Sequence, residues 1–207
     1  LVFTMKPVFE KFFLSSLASL GLATSTSAAS LEARLDEGTG TITIHRDGLT
    51  KPLVTQHAAA HHRPYLHPIV GPDGNGVLTE YSPGHHKHQT GLYWGFTRVN
   101  GRDHFHHPAD NYWGRKGVKV LEARGESVKW ETVYDLLDAD GNAVLTETQR
   151  WTMRSDNNRH ILDLEWHGRG QTDVTIGKYN YGGLFLRMPW KPVTKGEAVN
   201  AARNINA

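Results

Sequence analysis

The feature that most constrains this chain is an alternation of apolar and polar side chains with a period of two. It runs from Gly117 to about Gly177 and is cut by turn residues. Ser127 to Leu137 shows it most clearly. Val128, Trp130, Thr132 and Tyr134 fall on one face, against Lys129, Glu131, Val133 and Asp135 on the other. Successive side chains of a strand point to opposite faces, so this pattern predicts a half-buried strand. Gly117 to Ala123 reads as the strand before it, and Ala143 to Met153 and His160 to His167 as the strands after it. Turns are expected at Arg124–Glu126, Asp138–Gly141 and Ser155–Asn158, and Asp173 to Gly177 begins another strand. Earlier in the chain, Thr41 to His45 alternates, Asp47-Gly48 turns, and Leu53-Val54 resumes, as in a β-hairpin. No segment after residue 29 has a convincing helical period. The expectation is an all-β chain, an antiparallel β-sandwich.

The N-terminus has a different layout. From Met5, Lys6 and Lys11 form a positive region, Phe12 to Ala23 is a short apolar stretch, and Ser27 and Ala29 are small. This is the pattern of a signal peptide over residues 1–29, cut after Ala29. The other reading is an amphipathic N-terminal helix. The apolar stretch is shorter than the roughly 20 residues of a membrane span, and no later segment approaches that length. The expectation is an exported protein, periplasmic or extracellular in a bacterium, with residues 30–207 as one β-sandwich domain. The tail from Lys191 to Ala207 is weak in strand signals. It carries the further expectation that 30–207 is the N-terminal part of a longer domain.

The charge is close to balanced, 23 basic against 21 acidic side chains for a net +2, which disfavours a nucleic-acid partner. The absence of Cys removes disulfides, thiolate catalysis and Cys-type zinc sites. The chain has thirteen His, a residue that both carries protons near pH 7 and ligates metals. Ten of them, at 57, 61, 62, 67, 85, 86, 88, 104, 106 and 107, fall in one stretch rich in Gly, Pro, Tyr and Trp. Within it, Gly91 to Val99 reads as one strand. If the His runs are extended, His86 and His88 converge, and so do His104 and His106.

Two chemistries fit such pairs. In proton transfer, His86, His88, His106 and His107 act as acid–base groups, with Arg63 holding an oxygen. His67, Tyr93, Trp94, Tyr181 and Arg187 then bind the substrate, with Tyr93 or Trp94 stacking on a sugar ring. In the alternative, a divalent transition metal is the cofactor. Its ligands are His86, His88, His104 and His106, with Asp103 or Asp110 as the carboxylate. The HExxH spacing of a metalloprotease is absent. The plainer reading gives several of these rings to loop backbone or solvent. Glu165 and His167 form a second candidate pair, whose simpler reading is a solvated outer face. Tyr179 to Gly183, followed by Arg187, reads as a close backbone approach or a strand bulge.

The segment from Arg63 to Trp190 resembles a known family. The motifs are RPYLHP at 63–68, HHKHQTGLYWGF at 85–96, RVNGRDHFHH at 98–107 and YGGL at 181–184. They resemble the bacterial PmoA-like proteins, which carry the name "methane oxygenase PmoA" and are a domain of unknown function. The membrane monooxygenase subunit that shares the name is an integral membrane protein, so its activity does not follow for a chain without spans. The resemblance implies a sandwich similar to the galactose-mutarotase-like group, exported by polysaccharide-degrading bacteria and longer than this chain. A shared fold gives little information on chemistry. Three functions remain open: a carbohydrate-directed enzyme, a His/Asp metal-dependent enzyme, and a non-catalytic glycan-binding module. In each the partner is a small molecule or glycan.

Overall fold

The computed structural model of the protein describes residues 30–156 and 158–189. The expected signal peptide and the tail from Lys191 lie outside them. In chain order the strands are β1 (Leu31–Asp36), β2 (Thr41–Arg46), β3 (Val54–His57), β4 (Tyr65–Ile69) and β5 (Leu92–Gly95). A 3-10 turn (Asp110–Tyr112) follows, then β6 (Trp113–Glu122), β7 (Arg124–Gly125), β8 (Ser127–Leu137), β9 (Ala143–Ser155), β10 (His160–Gly170) and β11 (Gly183–Leu186). They form two antiparallel sheets, one of seven strands in the order β11-β5-β4-β3-β2-β1-β7 and one of four in the order β10-β9-β8-β6. Neither sheet closes into a barrel. Among the described residues, no helix is long and apolar enough to cross a membrane.

The alternation expected for β8 is the one observed. Val128, Trp130, Thr132 and Tyr134 are all buried, and they face the seven-stranded sheet. Leu31, Ala33, Ile42, Ile44, Val54, Leu66, Ile69 and Leu92 meet Val128, Trp130, Trp151 and Met153 in one core. Trp130 and Trp151 pair in register across β8 and β9, their rings 6.4 Å apart and 17° from parallel. Each large buried ring or aliphatic chain contributes about 1.5–3 kcal/mol by leaving water. Indoles need an acceptor when buried. Trp130 Nε1 donates to Gln56 Oε1 at 3.1 Å, and Trp151 Nε1 donates to Gln149 Oε1 at 3.3 Å. Glu131 breaks the outward pattern. It is only 5% exposed because Lys119 Nζ, at 2.9 Å, and Arg150 Nε, at 2.6 Å, close over its carboxylate.

Three strand expectations need correction. The strand placed at Gly91 to Val99 ends at Gly95. There the Phe105 segment crosses the backbone, and a Cβ on Gly95 would lie 3.4 Å from Phe105 Cα. The strand placed at 117–123 begins earlier, at Trp113, and accommodates two register shifts against β8. The strand placed at 173–177 is only a single bridge, from Ile176 to Val99. β1 and β4 were not anticipated.

Leu66 and Leu92 point into the core, so Tyr65 and Tyr93, one residue away, point to the outer face of the seven-stranded sheet. Phe185 of β11 pairs with Tyr93 and shares that face. Chain segments from three long connections (70–91, 96–112 and 171–182) pack against this end of the sheet.

Candidate functional site

Arg63 is the anchor of this region. It lies just before β4 and is fully buried. Its Nη1 donates to the Phe105 carbonyl, and its Nη2 donates to the His88 carbonyl at 2.6 Å and to Thr90 Oγ1 at 3.3 Å. The guanidinium carbon sits 3.5 Å from the centre of the Tyr93 ring. One planar, multiply donating group thus ties together the two loops that carry His88 and His106. Burial lowers its pKa to about 10, which leaves it charged at neutral pH. The oxygens that Arg63 holds are two backbone carbonyls and the Thr90 hydroxyl, so it supports the site from beneath. Its expected place in direct contact with substrate is corrected.

Above this anchor is a cavity of about 280 Å³, lined by His86, His88, Gln89, Phe105, His106, Tyr181 and Phe185. A hydrogen-bonded chain runs along its wall. Asp103 Oδ1 accepts from the N–H groups of Phe105, at 3.0 Å, and His106, at 2.9 Å. Its Oδ2 is 2.7 Å from His106 Nδ1. Burial opposes ionisation of Asp103, but the N–H and ring of His106 outweigh it, and the carboxyl stays below its usual range. The carboxylate therefore keeps a proton on Nδ1 of the neutral imidazole. That leaves His106 Nε2, 2.9 Å from the Tyr181 hydroxyl, to accept from it. Partial desolvation, the neighbouring Tyr179 and the negative charge of Asp103 raise the Tyr181 pKa. The Gly182-Gly183 turn brings Tyr181 into position. Gly183 has φ 87°, a conformation that side-chain-bearing residues rarely adopt.

His88 completes the wall, its ring centre 4.6 Å from that of His106 and 6.0 Å from that of His86. Burial, then the neighbouring His106, Arg63 and His86, lower its pKa to about 4. His86 is also lowered, by desolvation and then by His85 and Arg187. Near neutral pH both rings are uncharged and can donate or accept.

The structure brings together His86, His88, His106 and Tyr181, with Arg63, Tyr93 and Asp103 beneath or beside them. It separates the other candidates. Trp94 lies on the opposite face of β5 from Tyr93, stacked on Trp166 at 5.3 Å between the sheets, so it is not a ligand platform. His107 is exposed and stacks on Tyr112 at 4.6 Å. His67 bonds to Thr79 Oγ1 at 2.9 Å and packs on Tyr81. Arg187 donates to Glu80 Oε2 at 2.8 Å. Tyr93 is fully buried below the cleft, against Phe105 and Phe185.

The metal set is corrected as well. His104 is fully buried, with Nε2 on the Leu137 carbonyl at 3.0 Å and Nδ1 on the Arg102 carbonyl at 3.2 Å. Asp110 is exposed in the 3-10 turn. Both runs lie in turns rather than extended chain; His86 and His88 nevertheless meet at the cavity, as expected, whereas His104 turns into the core away from His106. Among the described residues, no group of three or more His, Asp or Glu side chains is placed to hold a metal ion. The sequence reading does not single out Gln89, Phe105 or Phe185, although Gln89 and Phe105 sit inside the two His runs.

The sequence profile of a family of unknown function (DUF6807) matches residues 41–207, a span that includes every residue of the cleft. The chain belongs to the DUF6807 family. No curated protein and no solved structure matches it. The chemistry of this DUF6807 cleft is therefore read from its own geometry.

Proposed function

We propose that this DUF6807 protein is an exported carbohydrate-directed enzyme that moves a proton at an anomeric or keto-sugar carbon. The observation that carries this reading is the Asp103–His106–Tyr181 chain facing a neutral His88. Asp103 fixes the tautomer of His106; His106 receives the Tyr181 proton as the phenol oxygen takes one from the substrate, and His106 gives it back to that oxygen as the phenol returns its proton to the substrate. His88 is the second proton carrier on the same wall. Phe185, backed by the buried ring of Phe105, supplies an apolar surface for a sugar's C–H face. A cavity of about 280 Å³ suits one monosaccharide unit better than a long glycan. The resemblance to the PmoA-like proteins and the signal-peptide pattern support the same setting, an exported protein meeting free or terminal sugars.

The test is a screen of the complete protein against mono- and disaccharides by calorimetry and polarimetry, beside Tyr181→Phe and His106→Ala. The expected result is turnover of a sugar that falls about 100-fold or more in each variant, the usual scale for a lost acid–base group. No binding and no turnover in the wild type would sink the reading. Binding without turnover would make the cleft a glycan-binding module.

A further inference from the structure

The two layers of the sandwich do not end together. Trp166 of β10 stacks on Trp94 of β5, so β10 lies over β5. The larger sheet goes one strand further, to β11, which pairs with β5. Leu184 and Leu186 stand opposite Trp94 and Leu92 in that pairing and share their inward face. They are nevertheless 51% and 47% exposed. Beside them a cavity of about 420 Å³ opens between Leu78, Leu92, Leu162 and Leu186. A monomer rarely leaves such an apolar row uncovered. What the row lacks is one more strand beside β10 in the smaller sheet.

β10 is open to that strand. It ends the four-stranded sheet, and among the described residues no backbone hydrogen bond reaches its free edge. It pairs with β9 without a bulge and contains no Pro, so these two common guards of a sheet edge are missing from it. Its outward face reads Asp163, Glu165, His167, Arg169, acidic in one half and basic in the other. Such a strand is complementary to a copy of itself running the opposite way.

We infer that a second copy of this chain pairs with β10, antiparallel, about a two-fold axis at Trp166. This joins the two four-stranded sheets into one and lays the second copy's β10 over Leu184 and Leu186. The contact is the same patch on both copies, so it closes at a dimer. In this register Asp163 meets Arg169 of the second copy, and Glu165 meets its His167. Opposite charges directly across a strand pair attract, and like charges repel. An axis at Leu164 would set Asp163 against Glu165, and one at Gly168 would set His167 against Arg169. An axis at Glu165 or His167 would set that residue against itself. Charge thus selects the axis at Trp166. On the inward face the same register sets Leu164 against Gly168 and Leu162 against Gly170, which leaves the leucines room. The present partners of the two acids, Arg154 for Asp163 and His167 for Glu165, form exposed pairs that cost little to exchange.

Sedimentation velocity on the complete protein, from about 1 to 100 µM, reads the association directly. The wild type should be a dimer in this range. Asp163→Arg sets arginine against Arg169, and Arg169→Asp sets aspartate against Asp163. Each variant alone should dimerise about tenfold more weakly or worse. Mixed in equal amounts, the two should form a dimer again, because every reversed charge then meets its opposite. Glu165→Lys and His167→Glu, alone and mixed, repeat the test at the inner pair. All four side chains are exposed, so the variants keep the fold, and circular dichroism of each alone verifies it. A wild type that stays monomeric throughout overturns the inference and leaves the apolar row to residues 190–207 or to another protein. A dimer untouched by the single variants places the contact on another face and also overturns it, as does a mixture that fails to reassociate.

Discussion

Arg63 shows what a single residue type does and does not disclose. The sequence marks it as a group that holds oxygen, and it holds two carbonyl oxygens and a hydroxyl. Which oxygens these are is decided by loops 25 and 42 residues away in the chain, and no local pattern reports that. Asp103 is similar. It was weighed as a metal ligand, and it instead fixes the tautomer of His106. Removing Arg63 leaves the His88 and Phe105 carbonyls without their donor. Arg63→Ala should lower the free energy of unfolding by about 3 kcal/mol, the scale of a broken buried charged network. Arg63→Lys should recover less than half of that, because one ammonium cannot reproduce the planar fork. Urea titration of the three proteins measures both effects. A loss below about 1 kcal/mol in Arg63→Ala would mean that the loops are fixed by other contacts.

At the level of strands, the regular half of the chain was legible and the connections were not. β8, β9 and β10 each begin where the alternation begins, because an 11- to 13-residue strand repeats the same burial decision many times. β4 and β5 are four or five residues long, and their faces are set by partners distant in sequence. The inner face of β9 also carries Glu147, which the pattern alone would make apolar. It is 1% exposed and accepts from Gln149 Nε2 at 2.7 Å and from Trp166 Nε1 of β10 at 2.9 Å. Burial raises its pKa to about 7 despite those bonds and the nearby Arg63. The folded carboxyl thus keeps its proton to higher pH than the unfolded one. Its contribution to stability is fully present below about pH 4.5 and is lost as pH rises to about 7, a swing of roughly 3 kcal/mol. Glu147→Gln should remove this slope. The stability difference between variant and wild type, followed by denaturant titration from pH 4.5 to 8, should therefore shift toward the variant as pH rises. A pH-independent difference would show that Glu147 is ionised throughout the range.

Across the whole molecule the histidines act in the opposite direction. Burial lowers the pKa of His57, His62, His67, His88, His104 and His160. Each is more easily protonated in the unfolded chain, so the stability they contribute is present above the unfolded value of about 6.5 and falls as pH drops below it. In Glu147→Gln, where the carboxyl no longer masks this effect, the melting temperature should fall steadily from pH 6.5 to 4.5. A flat profile in that variant would mean that the rings do not take up protons on unfolding. The high His content was plain in the sequence. That most of these rings serve as hydrogen-bonding wedges in the fold, and only three line the cleft, follows from how the two sheets and their long connections pack.

Trp94 has a consequence of another kind. It sits on β5, back to back with Tyr93, which is buried beneath the cleft, and its indole is stacked on Trp166 of the opposing sheet. Light absorbed by either ring is shared across the gap between the sheets. The protein thus carries an optical gauge of the spacing between its two layers, one residue removed from the floor of its candidate site.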